Sequence, residues 1–123
     1  MIALDTNTLR AVLVGLRDAA ITAAYEAIDR DEVVLPPVVI AEALSDPKLP
    51  PHYVARIRQF PTLEIHEGYW YRAGELRASI LRDKLRAHLP DTLIAQSCID
   101  HDIPLITYDH DFRHFVAAGL KLV

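Results

Sequence analysis

The chain has 123 residues, 51% of them hydrophobic, and a formal net charge of −4. That length and apolar content suffice for one core and predict a single domain over residues 1–123, while the acidic balance argues against a protein that coats nucleic acid with basic surface. The apolar stretches are broken by Pro or Glu far short of the ~20 residues that cross a bilayer, the first residues run into strand-like sequence with no secretory leader, and the lone Cys98 has no partner for an internal disulfide, so a cytoplasmic protein is expected.

Residues 2–4 form a short apolar run ended by Asp5 and read as a strand buried on both faces. Helical stretches follow over residues 7–14 and 18–30. Residues 33–35 are a second strand, ended by Pro36-Pro37, and two more helices are expected over 38–44 and 51–60. A third strand at 63–65 leads into a long helix from 67 to about 85, and another helix runs from Asp91 to 101. The last three elements are a strand at 105–107, a helix at 111–118 and a strand at 120–123. Strands alternating with helices predict an α/β/α sandwich with a central parallel sheet of about five strands. Ligands of such sheets bind beyond the carboxyl ends of the strands.

Carboxylates fall at those ends or at helix starts, each in apolar surroundings: Asp5 in IALDTN, Glu42 in VVIAEAL, Asp91 in LPDTLIA, and Asp109 and Asp111 in LITYDHDF. An unpaired buried carboxylate costs several kcal/mol, and several together repel. A divalent cation resolves both problems. Magnesium or manganese prefers oxygen ligands and binds through one or two carboxylates plus substrate phosphates; zinc is disfavoured because His and Cys are missing from these positions. Such a site suits phosphodiester hydrolysis, with one ion or two activating water and stabilising charge at phosphorus. The separations of 37, 49 and 18 residues between Asp5, Glu42, Asp91 and Asp109 mean that only the fold can assemble it. Other roles compete with this one: Asp5 can cap a helix, Asp91 suits a helix dipole, and Asp109 and Asp111 suit a turn, whereas Glu42 has no capping role and could only face solvent on a one-sided helix.

At these residues the chain resembles the PIN-domain ribonucleases, and among them the VapC-type toxins of type II toxin–antitoxin pairs. LDTN is similar to the family's first Asp segment, IAEAL to its helical Glu, PDTLIAQ to its D-x-L-I-A signature, and LITYDHDF to its closing T-x-D/N…D-F segment. The resemblance covers Ile2 to Val123. It implies a PIN-like fold, Mg2+- or Mn2+-dependent endoribonuclease activity leaving 5′-phosphate and 3′-hydroxyl ends, and a cognate antitoxin. It makes Asp5, Glu42, Asp91 and Asp109 the catalytic set, with Asp5, Asp91 and Asp109 or Asp111 as metal ligands and Glu42 placed to position the nucleophile. Asn7 and Thr107 would orient the ligands.

Several further residues are open to two readings. Arg72, Arg77, Arg82, Lys84 and Arg86 form the densest basic run, and Arg82 and Arg86 are candidates for RNA contact; interleaved Glu75 and Asp83 also fit a solvated helix surface. His101 and His110 each stand between aspartates, but a helix C-terminus attracts His for its dipole and His110 alternates away from Asp109 and Asp111, so neither is read as a metal ligand, and Cys98 is read as a small core residue. In the long helix Tyr69, Ala73, Leu76 and Ile80 form one apolar stripe, with Trp70, Leu81 and Leu85 on the other side. A second cover is therefore expected, from another helix or another subunit, and the resemblance points to a homodimer. Val12, Leu13 and Leu16 are a second candidate surface, for an antitoxin. Two other functions fit the same acidic set: a non-catalytic PIN-like binding or scaffold module, and a metal-dependent phosphohydrolase of small substrates. The missing Gly-rich phosphate loop counts against the second.

Overall fold

A parallel sheet in the order β2-β1-β3 lies at the centre of the chain, which a computed structural model describes over residues 1–123. β1 (Ile2–Leu4) is the middle strand and pairs with β2 (Val33–Val34) through Ile2↔Val33 and with β3 (Leu105–Ile106) through Ala3↔Leu105. Ala3, Leu4, Val33, Val34, Leu35, Leu105 and Ile106 are all buried, as strands covered on both faces should be.

The sheet has three strands rather than about five. At the outer positions the chain makes one parallel bridge on each side, Leu35↔Thr62 and Leu105↔Leu122. On the first edge Leu35 N–H donates to Pro61 O and Leu63 N–H to Leu35 O. Pro61 has no N–H to extend the ladder, and Glu64 and Ile65 turn out to solvent. On the other edge Leu105 N–H donates to Lys121 O and Val123 N–H to Leu105 O.

Between strands the chain forms α1 (Thr6–Leu13), α2 (Thr22–Asp29), α3 (Pro37–Leu44), α4 (Pro51–Arg58), α5 (Tyr69–Arg82) and α6 (Leu89–His101). Proline in the first turn starts α3, α4 and α6, where its missing N–H costs nothing. α2 begins later than residue 18 because the Asp18 carboxylate takes the Ile21 N–H (3.1 Å) and closes a turn first. α5 is shorter than 67–85 because Gly68 before it (φ 82°) and Lys84 after it (φ 60°) adopt left-handed backbone. The segment His110–Ala118 is a 3₁₀ helix, not an α-helix. One hydrophobic cluster, from Ala3 to Leu120, fills the space between sheet and helices. Arg72 of α5 forks onto Asp100 of α6 (Nε–Oδ1 3.1 Å, Nη2–Oδ2 2.6 Å), and the Tyr69 hydroxyl donates to Leu93 O (2.6 Å), tying these helices together. No helix is long and apolar enough to cross a membrane.

The chain leaves β1 for β2 on one side and, through α5 and α6, reaches β3 on the other. The order therefore reverses between β1 and β3, and a crevice beyond their carboxyl ends is where an open parallel sheet receives ligands.

Candidate active site

Asp5 follows β1 at this switch point. Its backbone is extended (φ −79°, ψ 175°) and its Oδ1 accepts the Thr8 N–H at 2.9 Å, so it is the N-cap of α1. Its Oδ2 accepts the Thr107 hydroxyl at 2.5 Å. Thr107, just after β3, in turn accepts the Asp109 N–H (3.0 Å) on the same hydroxyl oxygen. One side chain thus joins the ends of two neighbouring strands and sets the loop that carries Asp109. Asp109 Oδ1 accepts the Asp111 N–H (2.8 Å) and caps the 3₁₀ helix.

Glu42 comes from α3, and its Oε1 accepts the Thr6 hydroxyl at 2.6 Å. Asp91 comes from the first turn of α6. The four carboxylates line one cleft of about 60 Å³ together with Thr6, Asn7, Arg10 and Ile94. Burial first, and then the Asp109 carboxylate, push the Asp91 carboxyl up to about 6; His88 opposes the shift, and Asp5 and Glu42 add to it. Asp91 therefore feels the charge of carboxylates at positions 5, 42 and 109, which other elements of the fold supply.

All the acidic donors of this cleft are oxygens, which favours a hard cation over zinc. No three Asp, Glu, His or Cys side chains stand close enough together to hold a metal ion as a group. A structural zinc site needs four protein ligands and is therefore not built here, whereas magnesium or manganese keeps several waters and takes one or two carboxylates. The oxygen chemistry of the donors fits such an ion, which one or two of Asp5, Asp91 and Asp109 would hold with water completing its coordination.

Asp111 is half-buried and lies outside the cleft lining; its backbone N–H, rather than its carboxylate, supports Asp109. Asn7 is exposed on the cleft wall, and Thr107 holds Asp5 from beside it. Two lining residues escaped the sequence reading. Thr6 and Arg10 stand four residues apart on α1, one turn from each other, directly after the strand-ending Asp5, and that helical spacing was the available signal. Arg82 and Arg86 are exposed and do not line the cleft, Arg72 is committed to Asp100, and Arg77 Nε donates to Ala87 O (2.7 Å). His110 is exposed, and His101 stacks with His66 (4.2 Å between ring centres). Cys98 is buried, and burial pushes its thiol up to about 12, which leaves it inert at neutral pH.

An all-oxygen acidic cleft at the switch point of a parallel sheet defines the general class of the site. Residues 2–117 match the PIN domain family, and the chain belongs to it. Its fold is similar to solved structures of low sequence identity. These are VapBC2 from Rickettsia felis bound to a DNA fragment from their promoter (TM-score 0.76, 19% identity, covering 100% of this chain and 98% of that one), FitAB bound to the IR36 DNA fragment (0.73, 18%, 100% and 94%) and FitAcB from Neisseria gonorrhoeae (0.71, 18%, 99% and 96%). A search of curated proteins finds no match.

Proposed function

We propose that the chain is a VapC-like endoribonuclease that hydrolyses RNA phosphodiester bonds with magnesium or manganese and is held inactive by a cognate antitoxin in the cytoplasm. The observation that carries this reading is the convergence of Asp5, Glu42, Asp91 and Asp109 on one cleft at the switch point. Membership of the PIN family, whose domains are generally nucleases, and likeness to complexes named VapBC2 and FitAB support it.

When bound, the divalent ion would supply water activation and charge neutralisation at phosphorus. The residues do the rest. Asp5 is held at both oxygens, by Thr8 N–H and by the Thr107 hydroxyl, so its carboxylate is fixed before any ligand arrives. Thr6 fixes Glu42 through Oε1 and leaves Oε2 to accept a proton from the attacking water. Water oxygen bonds to phosphorus, the bond from phosphorus to the 3′ oxygen breaks, and the departing oxygen takes a proton from solvent water while Glu42 later returns its own to solvent, giving 5′-phosphate and 3′-hydroxyl ends. Asp109, not Asp111, takes the fourth acidic role.

The remaining partners follow from uncovered surface. Trp70 (61%), Leu81 (45%) and Leu85 (42%) remain exposed on and just beyond α5, so no helix of this chain covers that side and a second copy is proposed to do so. Val12 and Leu13 border a groove of about 350 Å³ with Tyr25, His52, Tyr53 and Arg56, and an antitoxin is proposed to fill it; Leu16 lies exposed outside its lining.

Paired expression of wild type and Asp5→Asn tests the function. Growth arrest with fragmented RNA is expected from wild type only. Equal toxicity would refute the catalytic role, and an intact RNA pool beside a binding-only phenotype would favour the scaffold reading.

A further inference from the structure

Arg10 is the only cation on the wall of the acidic cleft, and it forms no ion pair with any of the four carboxylates around it. Its side chain makes one hydrogen bond, to backbone: Nη2 donates to Glu42 O at 3.2 Å. A guanidinium has five N–H donors, so most of its fork is uncommitted, and the side chain is exposed.

The cause lies in how α1 meets α3. Thr6 takes the Glu42 carboxylate, and one turn later Arg10 takes the Glu42 carbonyl. The same residue is thus gripped twice, and the Arg10 charge is pinned at the rim without neutralising the acids. The lining is rich in carboxylates and the phosphate backbone of RNA is itself anionic, so the approach of substrate calls for a positive group at the rim. A planar guanidinium with free donors suits a phosphate.

We propose that Arg10 is the phosphate-binding residue of this cleft, holding a non-bridging oxygen of the RNA backbone. The proposal rests on the ribonuclease reading and gives this role to Arg10 rather than to Arg82 or Arg86, which lie outside the cleft lining.

The test measures binding of a labelled single-stranded RNA oligonucleotide in magnesium across a salt series, in an Asp91→Asn background expected not to cleave. Arg10→Gln is compared with Arg10→Lys and with Arg30→Gln; Arg30 caps the end of α2 just before β2 begins, at the other end of the sheet from the cleft. Arg10→Gln is expected to weaken binding roughly tenfold and to reduce the slope of log affinity against log salt by about 0.7, the value for one single-strand phosphate contact. Arg10→Lys should keep the slope and regain part of the affinity, Arg30→Gln should change neither, and in the cleaving background Arg10→Gln should raise KM more than it lowers kcat. If wild type cleaves RNA while Arg10→Gln keeps parental affinity and slope, the proposal is overturned and Arg10 only ties α1 to α3. If wild type neither binds nor cleaves RNA, the ribonuclease reading falls and this inference with it. Thermal melts that match the parent separate a local loss from misfolding.

Discussion

Asp91 carries the electrostatic cost of the cleft. Its carboxyl lies at about 6 rather than 3.8, through burial first and the neighbouring carboxylates after it. An acid whose folded value is raised binds its proton more tightly folded than unfolded, so the contribution of Asp91 to metal-free stability is most favourable below about pH 4, falls as pH rises towards 6, and stays reduced above it. With screening at this half-buried group, the loss at pH 7.5 is on the order of 1–2 kcal/mol. In chelator, Asp91→Asn is therefore expected to melt a few degrees above wild type at pH 7.5 and level with it at pH 4; a lower melting point at pH 7.5 would count against mutual repulsion in the cleft. Thr107 has the opposite sign. Its hydroxyl serves both Asp5 and the Asp109 N–H, so Thr107→Val removes two hydrogen bonds, with an expected cost of about 1–3 kcal/mol read as a lower urea midpoint.

At the scale of elements, the ion pair between Arg72 and Asp100 joins α5 to α6, the helix that carries Asp91. Burial opposes ionisation of Asp100, but the hydrogen bonds from Arg72 and Gln96 outweigh it and hold the carboxyl below its ordinary value. Stability from a depressed carboxyl is present above its unfolded value and lost as pH falls through the folded one. Arg72→Met should accordingly lower the melting temperature at pH 7, with the difference shrinking in acid; a difference that does not change with pH would point to packing instead. Local chemistry explains how much of this was legible in advance. Strand-ending Asp5 and the proline-started α3 and α6 announce themselves by residue type, so the positions of Asp5, Glu42 and Asp91 followed from the sequence. Outer strands at 63–65 and 120–123 did not survive because Pro61 and solvent-facing neighbours allow one bridge each, which apolar content alone does not reveal. The 3₁₀ winding of 110–118 and the grip of Thr6 and Arg10 on Glu42 depend on contacts between distant segments. No short window of sequence contains those contacts.

At the scale of the molecule, the two apolar sides of α5 have different fates. Tyr69, Ala73 and Ile80 are buried in the chain, while Trp70, Leu81 and Leu85 face solvent. Wild type is expected to sediment as a dimer, and charging that side with Leu81→Glu to yield monomers; a monomeric wild type would refute the proposed homodimer. The account as a whole rests on four sequence-distant carboxylates working as one hydrolytic centre. The most direct test is cleavage of labelled RNA by the purified chain in magnesium, in chelator, and by Asp5→Asn. Cleavage in magnesium only, with 5′-phosphate ends and a loss on the order of 10²–10³-fold in Asp5→Asn, is the expected result. Undiminished cleavage in chelator or by the variant would contradict it.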